Sequence, residues 1–83
     1  VKATLYSSSW CGPCGVLKAE LRKKENADVK ALIRVVDVDS KAGAKESEAA
    51  KVNVMPTLVR EDGKRRIGVY TAKSLRKWLG GES

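Results

Sequence analysis

The stretch Trp10-Cys11-Gly12-Pro13-Cys14 holds the only two cysteines of the chain, two residues apart, where an extended segment gives way to a helical one. Thiols this close can open and close a disulfide without unfolding anything. The spacing suits Cys11 to attack a disulfide in another protein through its thiolate, and Cys14 to resolve the mixed disulfide so formed. Other uses of the pair fit less well. A mononuclear zinc site wants four Cys or His ligands, and the chain has two cysteines and no histidine. A structural disulfide stabilises most when it closes a long loop, and this one would close a very short one.

Upstream of the pair, Val1 to Tyr6 alternates Val1, Ala3 and Leu5 with Lys2, Thr4 and Tyr6, a strand pattern that Ser7-Ser8-Ser9 breaks. From Cys11 onward Val16, Leu17 and Leu21 recur at helix spacing, and the pattern fades near Asn26. Cys11 is thereby delivered to a helix amino end. Unpaired N–H groups and the positive end of the dipole there favour a thiolate, so Cys11 should ionise more readily than an ordinary thiol. Cys14, one turn inside, should be more buried and stay a thiol until it attacks. Pro13 falls in the first turn, where its missing N–H is not needed.

Downstream, Leu32 to Val38 is rich in Ile and Val and reads as a strand covered on both faces, closed by Asp37 and Asp39. Lys41 to Lys51 sets Ala42, Ala44, Ala49 and Ala50 among charges, a helix weakened by Gly43. Thr57 to Glu61 and Lys64 to Gly68 flank Asp62-Gly63, a two-residue hairpin turn. Thr71 can cap a last helix that turns Leu75, Trp78 and Leu79 inward and ends at Gly80-Gly81. The expected fold is therefore α/β: a four-stranded mixed sheet with three helices in the order βαβαββα, its first two strands parallel and its hairpin antiparallel. Residues 1–83 are expected to form a single domain.

The Trp10 to Cys14 run and a second element, Val54-Met55-Pro56-Thr57, resemble the thioredoxin superfamily, and the element order resembles its minimal fold. In size the chain is similar to a glutaredoxin or a short thioredoxin; in its motif it resembles a thioredoxin. The resemblance implies a protein-disulfide reductase with Cys11 and Cys14 as catalytic dithiol. It implies a cis peptide at Met55-Pro56, a flat docking surface at Trp10, and backbone pairing of substrate at Met55. Gly12 and Pro13, inside the motif, and Pro56 join that substrate surface. Gly68 fits a family glycine that lets a partner approach; a glycine easing the turn into the last helix is the other reading.

The resemblance also marks departures. Family members usually bury an aspartate and a lysine near the second cysteine, and the aligned positions here are Leu5 and Val35. The proton of Cys14 must then leave by another route, with Asp37 the nearest acid in sequence. The glutathione-binding Gly-Gly pair of glutaredoxins has no counterpart in Gly68-Val69-Tyr70-Thr71-Ala72, so the implied electron source is a thioredoxin reductase. A glutaredoxin-like electron donor and a non-catalytic interaction subunit of a larger complex are the alternative functions. No cofactor is expected.

Seventeen Lys and Arg against ten Asp and Glu give the 83-residue chain a net charge of +7. The densest basic runs, Arg22-Lys23-Lys24 and Lys64-Arg65-Arg66, suit a helix carboxyl end and an exposed strand, and no aromatic platform is interleaved with them. Nucleic acid is therefore not an expected partner, whereas acidic surfaces of disulfide-containing proteins are. No apolar run approaches a membrane span and the first residues lack a secretory-signal pattern, so the expectation is a cytoplasmic monomer.

Overall fold

The computed structural model describes residues 2–81, so Val1 of the expected first strand lies outside the described residues. The first strand, β1, is Ala3–Ser7, and a short turn leads into α1, Gly12–Arg22. Next come a 3-10 turn at Lys24–Asn26, α2 at Ala27–Ala31, β2 at Ile33–Asp37 and α3 at Lys41–Ala49. The hairpin β3, Thr57–Arg60, and β4, Arg65–Ile67, then leads to α4, Ala72–Leu79. The sheet order is β2-β1-β3-β4, with β1 and β2 parallel and both β3 pairings antiparallel. The expected mixed sheet is thus present, with four α-helices among the described residues where three were expected.

The extra helix arises because the first one breaks early. Lys23 leaves α1 with extended backbone, its N–H donating to the Glu20 carbonyl at 3.3 Å, and the Asn26 side chain turns back to donate to the same carbonyl at 2.8 Å, reinforcing the helix end. The chain restarts as α2, whose single buried residue, Val29, joins the core beneath α4. Arg76 of α4 donates from Nε to Asp28 at 2.8 Å, and this pairing holds the Asp28 carboxyl at about 2.

The strand β2 departs from its reading as a fully covered strand. It is a sheet edge, buried at Ile33 on one face and at Val36 on the other, while Arg34 and Val35 are exposed. Edge position leaves a run of Ile and Val half solvated, and Arg34 occupies its exposed side by pairing with Glu46 of α3.

The core follows the alternation of β1. Ala3 and Leu5 face α1, α2 and α4, packing with Leu17, Leu21, Leu58, Leu75 and Trp78, while Tyr6 on the other face meets Val36 and Val52 beneath α3. The α4 end is locked by Arg60, 3% exposed, which donates to the Trp78 carbonyl at 2.6 Å and to Asp62 at 2.8 Å. Thr71 caps α4 as expected, accepting from Ser74 N at 3.2 Å, and Glu20 accepts from Ala72 N at 3.2 Å. Gly63 takes the positive φ, 94°, that the Asp62-Gly63 turn needs.

Gly43 has a different role from the helix weakness expected of it. A Cβ at this position would stand 1.8 Å from the Asp37 carbonyl oxygen, so α3 can lie this close to the end of β2 only with hydrogen at that position. Ser40 joins the two elements there, accepting from Gly43 N at 2.9 Å and donating to the Asp37 carbonyl at 2.8 Å.

Candidate functional site

The two cysteines lie where the turn after β1 becomes α1. Cys11 is the N-cap, with extended backbone, and its sulfur accepts from Cys14 N at 3.3 Å. Cys14 sits within the first turn and is fully buried, in one stripe with Leu17 and Leu21, while Cys11 is half-buried and Gly12 and Pro13 are exposed. The pair is joined as a disulfide with its Cα atoms 5.2 Å apart. Pro13 occupies the first turn without loss of a helix bond. A half-buried cysteine at a helix start, backed by a fully buried one in the first turn, is an arrangement suited to exchange in which the outer cysteine meets a partner and the inner one resolves the bond from within.

Trp10 projects beside the pair with 75% of its surface exposed. Its orientation is set by Asp39. One Asp39 oxygen accepts from the Trp10 indole Nε1 at 3.1 Å, and the other accepts from Ser9 N at 3.1 Å and Ser9 Oγ at 3.0 Å. These bonds, the Ser9 N–H first and the indole next, hold the Asp39 carboxyl below the ordinary carboxylate range. Sequence reading gave Asp39 only the closing of a strand. The signal was the parallel register: with Ser7 opposite Asp37, two further residues on each strand bring Asp39 beside Ser9.

Met55-Pro56 is cis, in keeping with the family resemblance. The last β1–β3 pair is Tyr6 with Thr57, so Pro56 stands one step on, level with Ser7. Gly68 N donates to the Pro56 carbonyl at 3.0 Å, which draws these two candidate residues together at the same end of the sheet as the disulfide. Gly68 has φ of 109° with open space where a Cβ would be, so its backbone conformation, rather than crowding, calls for glycine. Met55 is half-buried against Tyr6 and its neighbours, and exposed Val54, Ile67 and Val69 flank the Pro56–Gly68 pair in sequence.

The departures noted in the sequence have a structural counterpart. Leu5 is fully buried in the apolar core and Val35 is 48% exposed on the edge strand, so neither brings a charge toward Cys14. Asp37 is exposed and its Oδ1 accepts from Asp39 N at 2.9 Å. Among the described residues no group of three or more acidic or cysteine side chains is placed to hold a metal ion, and no helix is long and apolar enough to cross a membrane.

Comparison with known proteins agrees with this geometry. The thioredoxin of Malassezia sympodialis superposes with a TM-score of 0.69 at 20% identity, over 94% of this chain and 70% of its own. Mitochondrial thioredoxin 3 of Saccharomyces cerevisiae gives 0.67 at 24%, over 96% and 76%. A protein from X. campestris gives 0.61 at 24% and is matched over 99% of its length by 98% of this chain. At such identities the superpositions speak for the fold. A search of curated proteins finds no significant match. The family model for thioredoxin matches residues 4–80, and with the disulfide seated at the head of α1 and cis-Pro56 level with the end of β1, the chain belongs to the thioredoxin family.

Proposed function

We propose that this thiol–disulfide oxidoreductase works as a protein-disulfide reductase. The observation that carries the reading is the asymmetry of the pair: Cys11 half-buried at the helix N-cap, Cys14 fully buried behind it. In the reduced protein the Cys11 thiolate attacks one sulfur of a substrate disulfide, forming a mixed disulfide and expelling the other substrate sulfur as thiolate. Cys14 then loses its proton and attacks Cys11. The Cys11–Cys14 disulfide forms, the second substrate sulfur leaves, and the substrate has gained two electrons. Trp10, Gly12, Pro13, Met55, Pro56 and Gly68 form the surface on which the substrate lies. A thioredoxin reductase restores the dithiol, and the protein acts as a cytoplasmic monomer.

Reduction of insulin by dithiothreitol, followed by turbidity, tests this reading. The wild-type protein should accelerate the reaction strongly, and Cys11→Ser should leave only the rate of dithiothreitol itself. Equal rates for the two proteins would leave a non-catalytic interaction subunit as the better account.

A further inference from the structure

The strand β2 is the outermost strand on its side of the sheet, and half of its backbone faces outward. In a parallel pair, alternate residues of a strand turn both N–H and C=O toward the neighbour. The Leu32 carbonyl accepts from Ala3 N at 2.9 Å and Val38 N donates to the Ser7 carbonyl at 2.9 Å, so Arg34 and Val36 between them face β1. The backbone groups of Ile33 and Val35 therefore point away from the sheet. Such an edge is a template for one more strand.

Beside this edge runs a groove of about 390 Å³ lined by Lys18, Leu21 and Arg22 of α1, Lys30 of α2, and Ile33 and Val35 of β2. Leu21 and Ile33 are buried, which makes the floor apolar, and Val35 is exposed at its margin. The charged lining is of one sign. None of Lys18, Arg22 and Lys30 joins an ion pair among the described residues, whereas Lys23, Arg34, Arg60 and Arg76 do. The carboxylates of the adjoining elements are engaged: Glu20 pairs with Lys23, Asp28 with Arg76, and Asp37 accepts from Asp39 N. Val35 lies on the same face as its register partner Leu5, so alternate side chains of a strand added outside β2 would project over the groove.

We propose that the β2 edge and this groove bind an extended acidic segment of a partner protein. The segment pairs with the outward backbone of Ile33 and Val35 and turns every second side chain, acidic, toward Lys18, Arg22 and Lys30. Charge decides the occupant. A second copy of the chain would bring two sets of these cations together, each on a molecule of net charge +7. Single-stranded nucleic acid would want stacking platforms, and no aromatic side chain lines the groove. The same cations that keep like copies off this edge favour a strand of opposite sign. The inference makes no use of the dithiol, and its test contains no redox step, so either reading can fail without the other.

The probe is a short fluorescein-labelled peptide of alternating Glu and Thr, titrated with the protein at low salt and followed by anisotropy. It should bind saturably, and Lys18→Glu with Arg22→Glu should weaken it by about tenfold or more. Lys45→Glu with Lys73→Glu, an equal charge change at two exposed sites outside the groove, should leave the affinity within about twofold. A peptide of alternating Glu and Pro carries the same charge without the full set of donors, and should bind about tenfold less tightly. Amide hydrogen exchange on the wild-type protein gives an independent reading: the Glu–Thr peptide should slow exchange at Val35, which is open in the free protein, and leave Val36, already in the β1 ladder, unchanged. Equal weakening by the two double variants, equal binding of the Glu–Pro peptide, or no added protection at Val35 would each overturn the proposal. Tighter binding of a single-stranded oligothymidylate than of the Glu–Thr peptide would overturn it in favour of nucleic acid.

Discussion

Asp39 carries three hydrogen bonds at the entrance to the site, and their loss should be visible through Trp10. A carboxyl held below its usual range in the folded protein contributes stability above the unfolded value, near ~3.9, and loses it as pH falls through the folded value. The Trp10–Asp39 contact should therefore be unaffected between neutral pH and about 4, and break only in more acid solution. The difference in tryptophan emission between wild-type protein and Asp39→Asn, followed against pH, isolates this contact from Trp78. A midpoint at or above the ordinary aspartate range would contradict the geometry. At this scale the cysteines, Trp10 and Pro56 were legible because each belongs to a contiguous motif. Asp39 was not, since its bonds to Ser9 and Trp10 arise from the register between segments distant in sequence.

The elements were legible where their signals are local. Thr71 caps α4, Asp62-Gly63 turns the hairpin, and the apolar positions of α1 recur at helix spacing, all within a few residues of one another. The misses have equally local causes. A five-residue helix with one buried side chain, α2, is too short to display a period, and nothing within β2 distinguishes an edge from a centre. Gly43 is the sharpest case. Helix propensity alone gives Gly43→Ala a gain of up to ~1 kcal/mol. The methyl would overlap the Asp37 carbonyl at 1.8 Å, and forcing α3 away from β2 should cost about 2 kcal/mol or more instead. The midpoint of urea unfolding decides the sign: it should fall in Gly43→Ala, and a rise would show that the α3–β2 contact relaxes freely.

Across the whole molecule, the order of strands and helices was enough to name a mixed sheet, because a helical crossover makes β1 and β2 parallel and a tight turn makes β3 and β4 antiparallel. What order could not convey is that the disulfide, Pro56 and Gly68 gather at one end of that sheet. This follows from the level at which β3 joins β1 and from the Gly68 to Pro56 bond. Cys11 is half-buried there and Cys14 fully buried, and the proposed mechanism depends on this difference. Intact mass measurement of Cys14→Ser protein after reaction with a disulfide-containing substrate tests it most directly. The account predicts a stable one-to-one covalent adduct through Cys11 that dithiothreitol releases, and no adduct on the reciprocal Cys11→Ser protein. Adducts forming on Cys11→Ser but not on Cys14→Ser would contradict it.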